Sequence, residues 1–254
     1  MTDALPAQPA PPDTPPNRST ADASPVELSE PLRDTARFLP GLLVAVLFVT
    51  FLVARSETVT AREYDLLRSL REPGDPTRLV FNDDLFPFVR DLTAAGGYVL
   101  QIALFVVLSV YLLLAGRKRE GIFFLTTMAV GYATGSIVKL VIARPRPDPL
   151  LVPQLSNAFR DTYSFPSLHA TMSVICFVGV AAFLPGPDTP PAARRFLLGS
   201  AAVLAIAVGV TRVFLGVHFP TDVVAGWTLG VLALLIGQRL LWPRLSAPKG
   251  AGIS

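Results

Sequence analysis

Histidine, cysteine and lysine are almost missing from this chain of 254 residues. It has two histidines, His169 and His218, and one cysteine, Cys176. A single cysteine excludes an intramolecular disulfide, and its place inside an apolar run suits a structural role better than a reactive one. Among 22 basic residues only Lys118, Lys139 and Lys249 are lysines. Charged residues are just 16% of the chain, and the formal net charge is +3. A charge so small and spread out makes no case for nucleic-acid binding. Two histidines without clustered carboxylates also leave a catalytic metal no ligand set, so neither metal nor cofactor is expected.

What the chain has instead is apolar length. Hydrophobic residues make up 51% of it and the mean hydropathy is +0.51, the balance of a membrane protein. About twenty apolar residues cross a bilayer. Six stretches qualify, at roughly 38–54, 97–115, 121–143, 165–184, 196–217 and 219–242. Backbone polar groups must be satisfied inside lipid, and these segments are too long for barrel strands. The expected fold is therefore all-α, a polytopic bundle of six transmembrane helices over residues 33–245.

Residues 1–32, rich in Pro and Ala and without an apolar run, read as a disordered tail, and 246–254 as a short C-terminal one. No secretory signal is visible, so the first span is expected to stay as an uncleaved anchor. The connection 55–94 has helical spacing over 59–71, with Tyr64, Leu67 and Leu70 on one side, and a second apolar patch at 79–89. It suits either an external segment lying on the bilayer or a loop packed on the bundle. Gly131-x3-Gly135 and Gly226-x3-Gly230 let helices approach closely. Arg117-Lys118-Arg119 and Arg194-Arg195 mark a cytoplasmic side, shared with both termini. The ends of spans three and five and the starts of spans four and six then meet at the outer face of the cytoplasmic membrane.

The polar residues at those four places form a pattern. Lys139 is followed by six residues and then Arg146-Pro147; Ser164-Phe165-Pro166-Ser167-Leu168-His169 opens span four; Thr211-Arg212 is followed by five residues, His218, three residues and Asp222. Taken singly, Lys139 and Arg212 could snorkel to the headgroups, Ser167 could cap a helix, and Asp222 could complement a helix dipole. Taken together they make a phosphate clamp with two proton-handling imidazoles. Pro166 suits a first helical turn, whose free N–H groups bind anions. The Asp222 carboxylate, four residues after His218, is spaced to hold one ring nitrogen and leave the other facing substrate. Arg144 is an alternative clamp, although the register of the family pattern that these segments resemble favours Arg146.

These segments resemble the type-2 phosphatidic acid phosphatase superfamily, whose pattern is Lys-x6-Arg-Pro, Pro-Ser-Gly-His and Ser-Arg-x5-His-x3-Asp. The likeness covers about residues 38–242. Leu168 stands where the family has glycine, and Thr211 where it has serine. The resemblance implies a metal-independent membrane lipid phosphatase. In it His218 would be the nucleophile that becomes a phosphohistidine, Asp222 its partner, and His169 the acid for the leaving oxygen. Lys139, Arg146, Ser167 and Arg212 would hold the phosphoryl oxygens. It also implies substrates such as undecaprenyl diphosphate, phosphatidate or phosphatidylglycerol phosphate, and the sequence leaves the choice open. Leu168 is shared with a phosphotransferase branch, so transfer to an alcohol stands as an alternative, and non-enzymatic binding of anionic lipid as another.

Overall fold

The computed structural model describes residues 30–81, 85–148, 151, 162–186 and 188–240. The expected N-terminal tail lies outside them except for residues 30–32, which open the first helix, and the expected tail at 246–254 lies outside them altogether.

Helices account for 77% of the described chain. Helix α1 (Glu30–Ala54) is followed by α2 (Glu57–Ser69). Ser56 takes an extended conformation between them, and the chain turns by 83° there. A hairpin follows, β1 (Arg71–Glu72) paired antiparallel with β2 (Asp75–Leu79) around Gly74, whose φ of +91° only glycine adopts without strain. Next come α3 (Leu85–Ala94), α4 (Tyr98–Leu114), α5 (Lys118–Ile142), α6 (Leu168–Phe183), α7 (Pro191–Phe214) and α8 (Pro220–Leu240). Ala143, at φ +50°, terminates α5 and turns the chain into the two Arg-Pro pairs.

Among the described residues, four helical segments are long and apolar enough to cross a membrane: Leu85–Leu114, Lys118–Ile142, Pro191–Phe214 and Pro220–Leu240. The bent pair α1–α2 would make a fifth. Apolar side chains such as Val107, Leu114, Leu140 and Val141 point outward from these helices, the surface a helix shows to lipid. The chain is thus a multi-pass helical membrane protein.

Helix α6 departs from the expected even set of spans. It is shorter than the others and buried, from Ala170 through Cys176. Its centre, Val174–Val178, widens into a π-turn. The two glycine pairs explain how it fits. A Cβ at Gly135 of α5 would lie 2.5 Å from Leu168 Cδ2, and one at Gly131 would run into Ile175. On the other side, a Cβ at Gly226 of α8 would run into the Ser167 carbonyl, and one at Gly230 would lie 2.7 Å from that of Thr171. Missing side chains on both neighbours thus make the slot for α6. Phe105, Phe123, Phe124, Met172, Ile175 and Leu234 belong to one apolar cluster around it.

The 55–94 connection covers one end of the bundle. Leu67 of α2 packs with Leu151 and Phe219, and Val89 of α3 with Leu215 and Val217. Leu66, Val80, Phe81 and Phe88 remain exposed on its other side. Its buried face therefore lies against the junction between α7 and α8.

Candidate active site

The end of the bundle beneath this cover collects the polar residues singled out in the sequence. The segment leaving α5 and the segment entering α6 are strapped together. The Ser164 N–H donates to the Arg144 carbonyl at 2.8 Å, and Ser164 Oγ donates to that of Pro145 at 3.0 Å. Lys139, in the last turn of α5, donates to the carbonyls of Tyr163 and Ser164 at 2.7 and 3.1 Å. Lys139 thus spends two of its three donors on backbone while its charge faces the site. This strapping delays α6. Pro166, expected in its first turn, precedes it, and Ser167 is the N-cap residue.

Ser167 does not cap. Its side chain makes no hydrogen bond to the helix, and the buried Oγ has no partner among the described residues. Its N–H instead donates to the Asp222 carbonyl at 2.9 Å, joining the start of α6 to the start of α8. His169, half-buried, is the second residue of α6. The charges of Arg212, Arg146 and Lys139 all reach its ring. Leu168, between Ser167 and His169, points away onto Gly135. The bulk that replaces the family glycine is therefore absorbed by the helix packing.

Arg212 lies in the last turn of α7 and is 2% exposed. Its Nη1 donates to Thr93 Oγ1 of α3 at 2.9 Å, while Nε and Nη2 are buried without a partner among the described residues. A buried guanidinium with idle donors is costly unless an anion completes it. Arg146 approaches from the opposite strap. Its Nε donates to Thr162 Oγ1 and its Nη1 to the Val217 carbonyl, and Nη1 stands 3.3 Å from His218 Nε2. Burial pushes the Arg146 pKa down to about 10, so it keeps its charge at neutral pH.

His218 precedes α8, which begins at Pro220, so its spacing to Asp222 does not run along one helix as the sequence reading allowed. The two side chains still meet, with Nδ1 3.5 Å from Asp222 Oδ2, although Nδ1 makes no well-formed hydrogen bond. An acceptor on that side suits a ring proton on Nδ1, while Nε2 faces Arg146. Burial first, then the charges of Arg146, Lys139 and Arg212, hold the His218 pKa well below the ordinary imidazole value. Both causes favour the neutral ring.

Arg144 is not a clamp. Its Nη1 donates to Asp222 Oδ1 at 2.6 Å and to Thr221 Oγ1 at 2.8 Å, and its Nη2 donates to Glu63 Oε2 at 2.8 Å. The guanidinium lies 4.1 Å from the centroid of the Phe219 ring. Glu63, Thr93 and Thr162 have no place in the motifs. Glu63 is four residues before Leu67 on the buried side of α2, a spacing that marks it as inward-facing; nothing local marks Thr93 or Thr162.

Two cation donors and a hydroxyl, all without a partner among the described residues, thus gather with two imidazoles at one end of the bundle. Residues 120–245 match the family model of the PAP2 superfamily, and the chain belongs to that superfamily. It is 29% identical over 147 residues to phosphatidylglycerophosphatase B of Bacillus subtilis, across 57% of this chain and 70% of that protein. It is 28% identical over 167 residues to the undecaprenyl-diphosphatase of Sulfolobus acidocaldarius, across 62% and 77%. The fold matches a crystal structure of a transmembrane PAP2 type phosphatidylglycerolphosphate phosphatase from Bacillus subtilis. The TM-score is 0.68 at 22% identity, over 80% of this chain and 95% of that one.

Proposed function

We propose that this chain is a membrane lipid phosphatase that releases phosphate from a lipid phosphate or diphosphate through a phosphohistidine intermediate. The observation that carries this reading is the set of buried, idle donors on Arg212 and Ser167 beside the neutral His218. An oxygen-rich anion satisfies all of them at once.

In the first step the His218 Nε2 lone pair forms a bond to phosphorus as the bond from phosphorus to the lipid oxygen breaks. His169 gives its proton to that departing oxygen. Lys139, Arg146, Arg212 and Ser167, with the first N–H groups of α6, hold the phosphoryl oxygens while charge shifts among them. Asp222, beside Nδ1, stabilises the cation that develops on the ring. In the second step water attacks phosphorus, His169 takes its proton, and the bond to Nε2 breaks. Phosphate leaves and both histidines return to their starting states. A site between helix ends at headgroup level meets substrates whose tails lie in the bilayer. The relatives named as acting on phosphatidylglycerophosphate and on undecaprenyl diphosphate support a lipid-borne phosphate. In this reading α1, α4, α5, α6, α7 and α8 are six spans of the cytoplasmic membrane, and the site faces outward.

The test is phosphate release by the purified full chain from a panel of phosphatidylglycerol phosphate, undecaprenyl diphosphate and phosphatidate, with His218→Ala alongside. Release by the wild type and none by a folded His218→Ala is the expected result. A His218→Ala variant near wild type, or a wild type inert on the whole panel, overturns the proposal.

A further inference from the structure

The motifs leave a second buried ion pair unused, and it touches the reaction centre. Glu63, Arg144, Asp222 and His218 stand in a row, 6%, 8%, 0% and 2% exposed. Contacts of 2.8 Å (Glu63 to Arg144), 2.6 Å (Arg144 to Asp222) and 3.5 Å (Asp222 to His218) link its members. Glu63 lies outside the stretch that matches the family. Both of its oxygens are committed, Oε2 to Arg144 Nη2 and Oε1 to the Thr221 N–H at 2.9 Å. Thr221 is the neighbour of Asp222 in the first turn of α8.

We propose that Glu63 is a positioning residue for phosphoryl transfer, acting through Arg144 to set the field that Asp222 exerts on His218. This rests on the reading of His218 as nucleophile. Arg144 bridges two carboxylates, so its charge is divided. If Glu63 loses its charge, Arg144 turns wholly onto Asp222, which then gives less to the ring. In a buried row there is no solvent to make up the difference. His218 faces Arg146, Lys139 and Arg212 as cations, His169 across the site, and Asp222 as its adjacent carboxylate. Weakening that one anion removes the counterweight to three positive charges.

Three consequences follow for Glu63→Gln in the full chain. The kcat falls by about 10- to 100-fold. KM changes little, since Glu63 touches no phosphate donor. The acid limb of the pH–rate profile moves to lower pH, because a stronger positive field disfavours the imidazolium. Glu63→Asp, which keeps the charge, recovers most of the rate. A residue that only supports the fold would lower thermal stability and leave the acid limb in place. An unmoved limb with wild-type kcat overturns the proposal.

If Glu63→Gln does not fold, the double variant Glu63→Gln with Arg144→Gln removes one charge of each sign. There Asp222 faces His218 unopposed, so the limb should move to higher pH, and an unmoved limb again overturns the proposal. A readout without turnover is also at hand, because the chain has only two histidines. Nitrogen-15 NMR of labelled histidine, assigned by the signal lost in His169→Gln, follows His218 titration directly. If the wild type proves inert on every lipid phosphate, the functional reading fails, while this titration still reports on the charge row.

Discussion

Replacing Arg212 by methionine should make the resting protein more stable and the enzyme nearly dead. Arg212 is 2% exposed and holds one bond, from Nη1 to Thr93 Oγ1 at 2.9 Å, while Nε and Nη2 have no partner among the described residues. An unsatisfied buried donor costs about 1–3 kcal/mol, so the two together cost about 2–6 kcal/mol. Losing the charge-assisted bond to Thr93 forfeits about 1.5–3 kcal/mol. Methionine has similar reach without charge, so Arg212→Met should gain about 2 kcal/mol, or roughly 5 °C in melting temperature. The same two donors are those left for a phosphoryl oxygen. Removing one transition-state donor typically lowers kcat by about 10²–10³, so the loss here should be at least about 10³. The assay pairs thermal unfolding in detergent, with and without vanadate, with the rate of phosphate release. Vanadate should raise the melting temperature of the wild type and leave that of the variant unchanged. A variant that melts below the wild type, or keeps a tenth of its activity, refutes the argument that these donors wait for an anion.

The other predictions concern pH and packing. The acid limb of kcat/KM reports the free enzyme's essential base. A lowered His218 pKa keeps the ring neutral further into acid, so that limb should fall below pH ~6.5, the ordinary histidine value; a limb above it would contradict the burial of His218. Gly226→Ala, whose Cβ would run into the Ser167 carbonyl, should cost about 1–3 kcal/mol in thermal unfolding and slow turnover by shifting Ser167; unchanged stability would show that α6 has room. Gly135→Ala should be relieved by Leu168→Ala, since the clash is with Leu168 Cδ2, and strictly additive losses in the double variant would refute that contact.

Much of the site is legible in the sequence because its chemistry uses scarce residues at fixed spacings. Lys139, Arg146, Ser167, His169, Arg212, His218 and Asp222 stand out in a chain with two histidines and three lysines, and the structure gathers them at one end of the bundle. What the spacing hides is where each hydrogen bond goes. Arg144 and Arg146 look equivalent in an Arg-Pro-Arg-Pro run, yet one reaches Glu63 and Asp222 and the other His218. That division depends on α2, whose turn at Ser56 has no strong marker. The turn at Glu72-Pro73-Gly74-Asp75 does carry a marker, but the surrounding helical pattern masks the hairpin. Helix α6 reads as an ordinary span because apolar content does not distinguish lipid from protein neighbours. Leu168 looks like a change at the phosphate until Gly135 is seen beneath it.

The bond from the Ser167 N–H to the Asp222 carbonyl involves no side chain. Ordinary substitution at either position leaves it intact; only proline at 167 deletes the donor. The register between the start of α6, which carries His169, and the start of α8, which follows His218, is thereby written into the main chain. Such an arrangement lets substrate preference drift over evolutionary time around a reaction geometry that stays put.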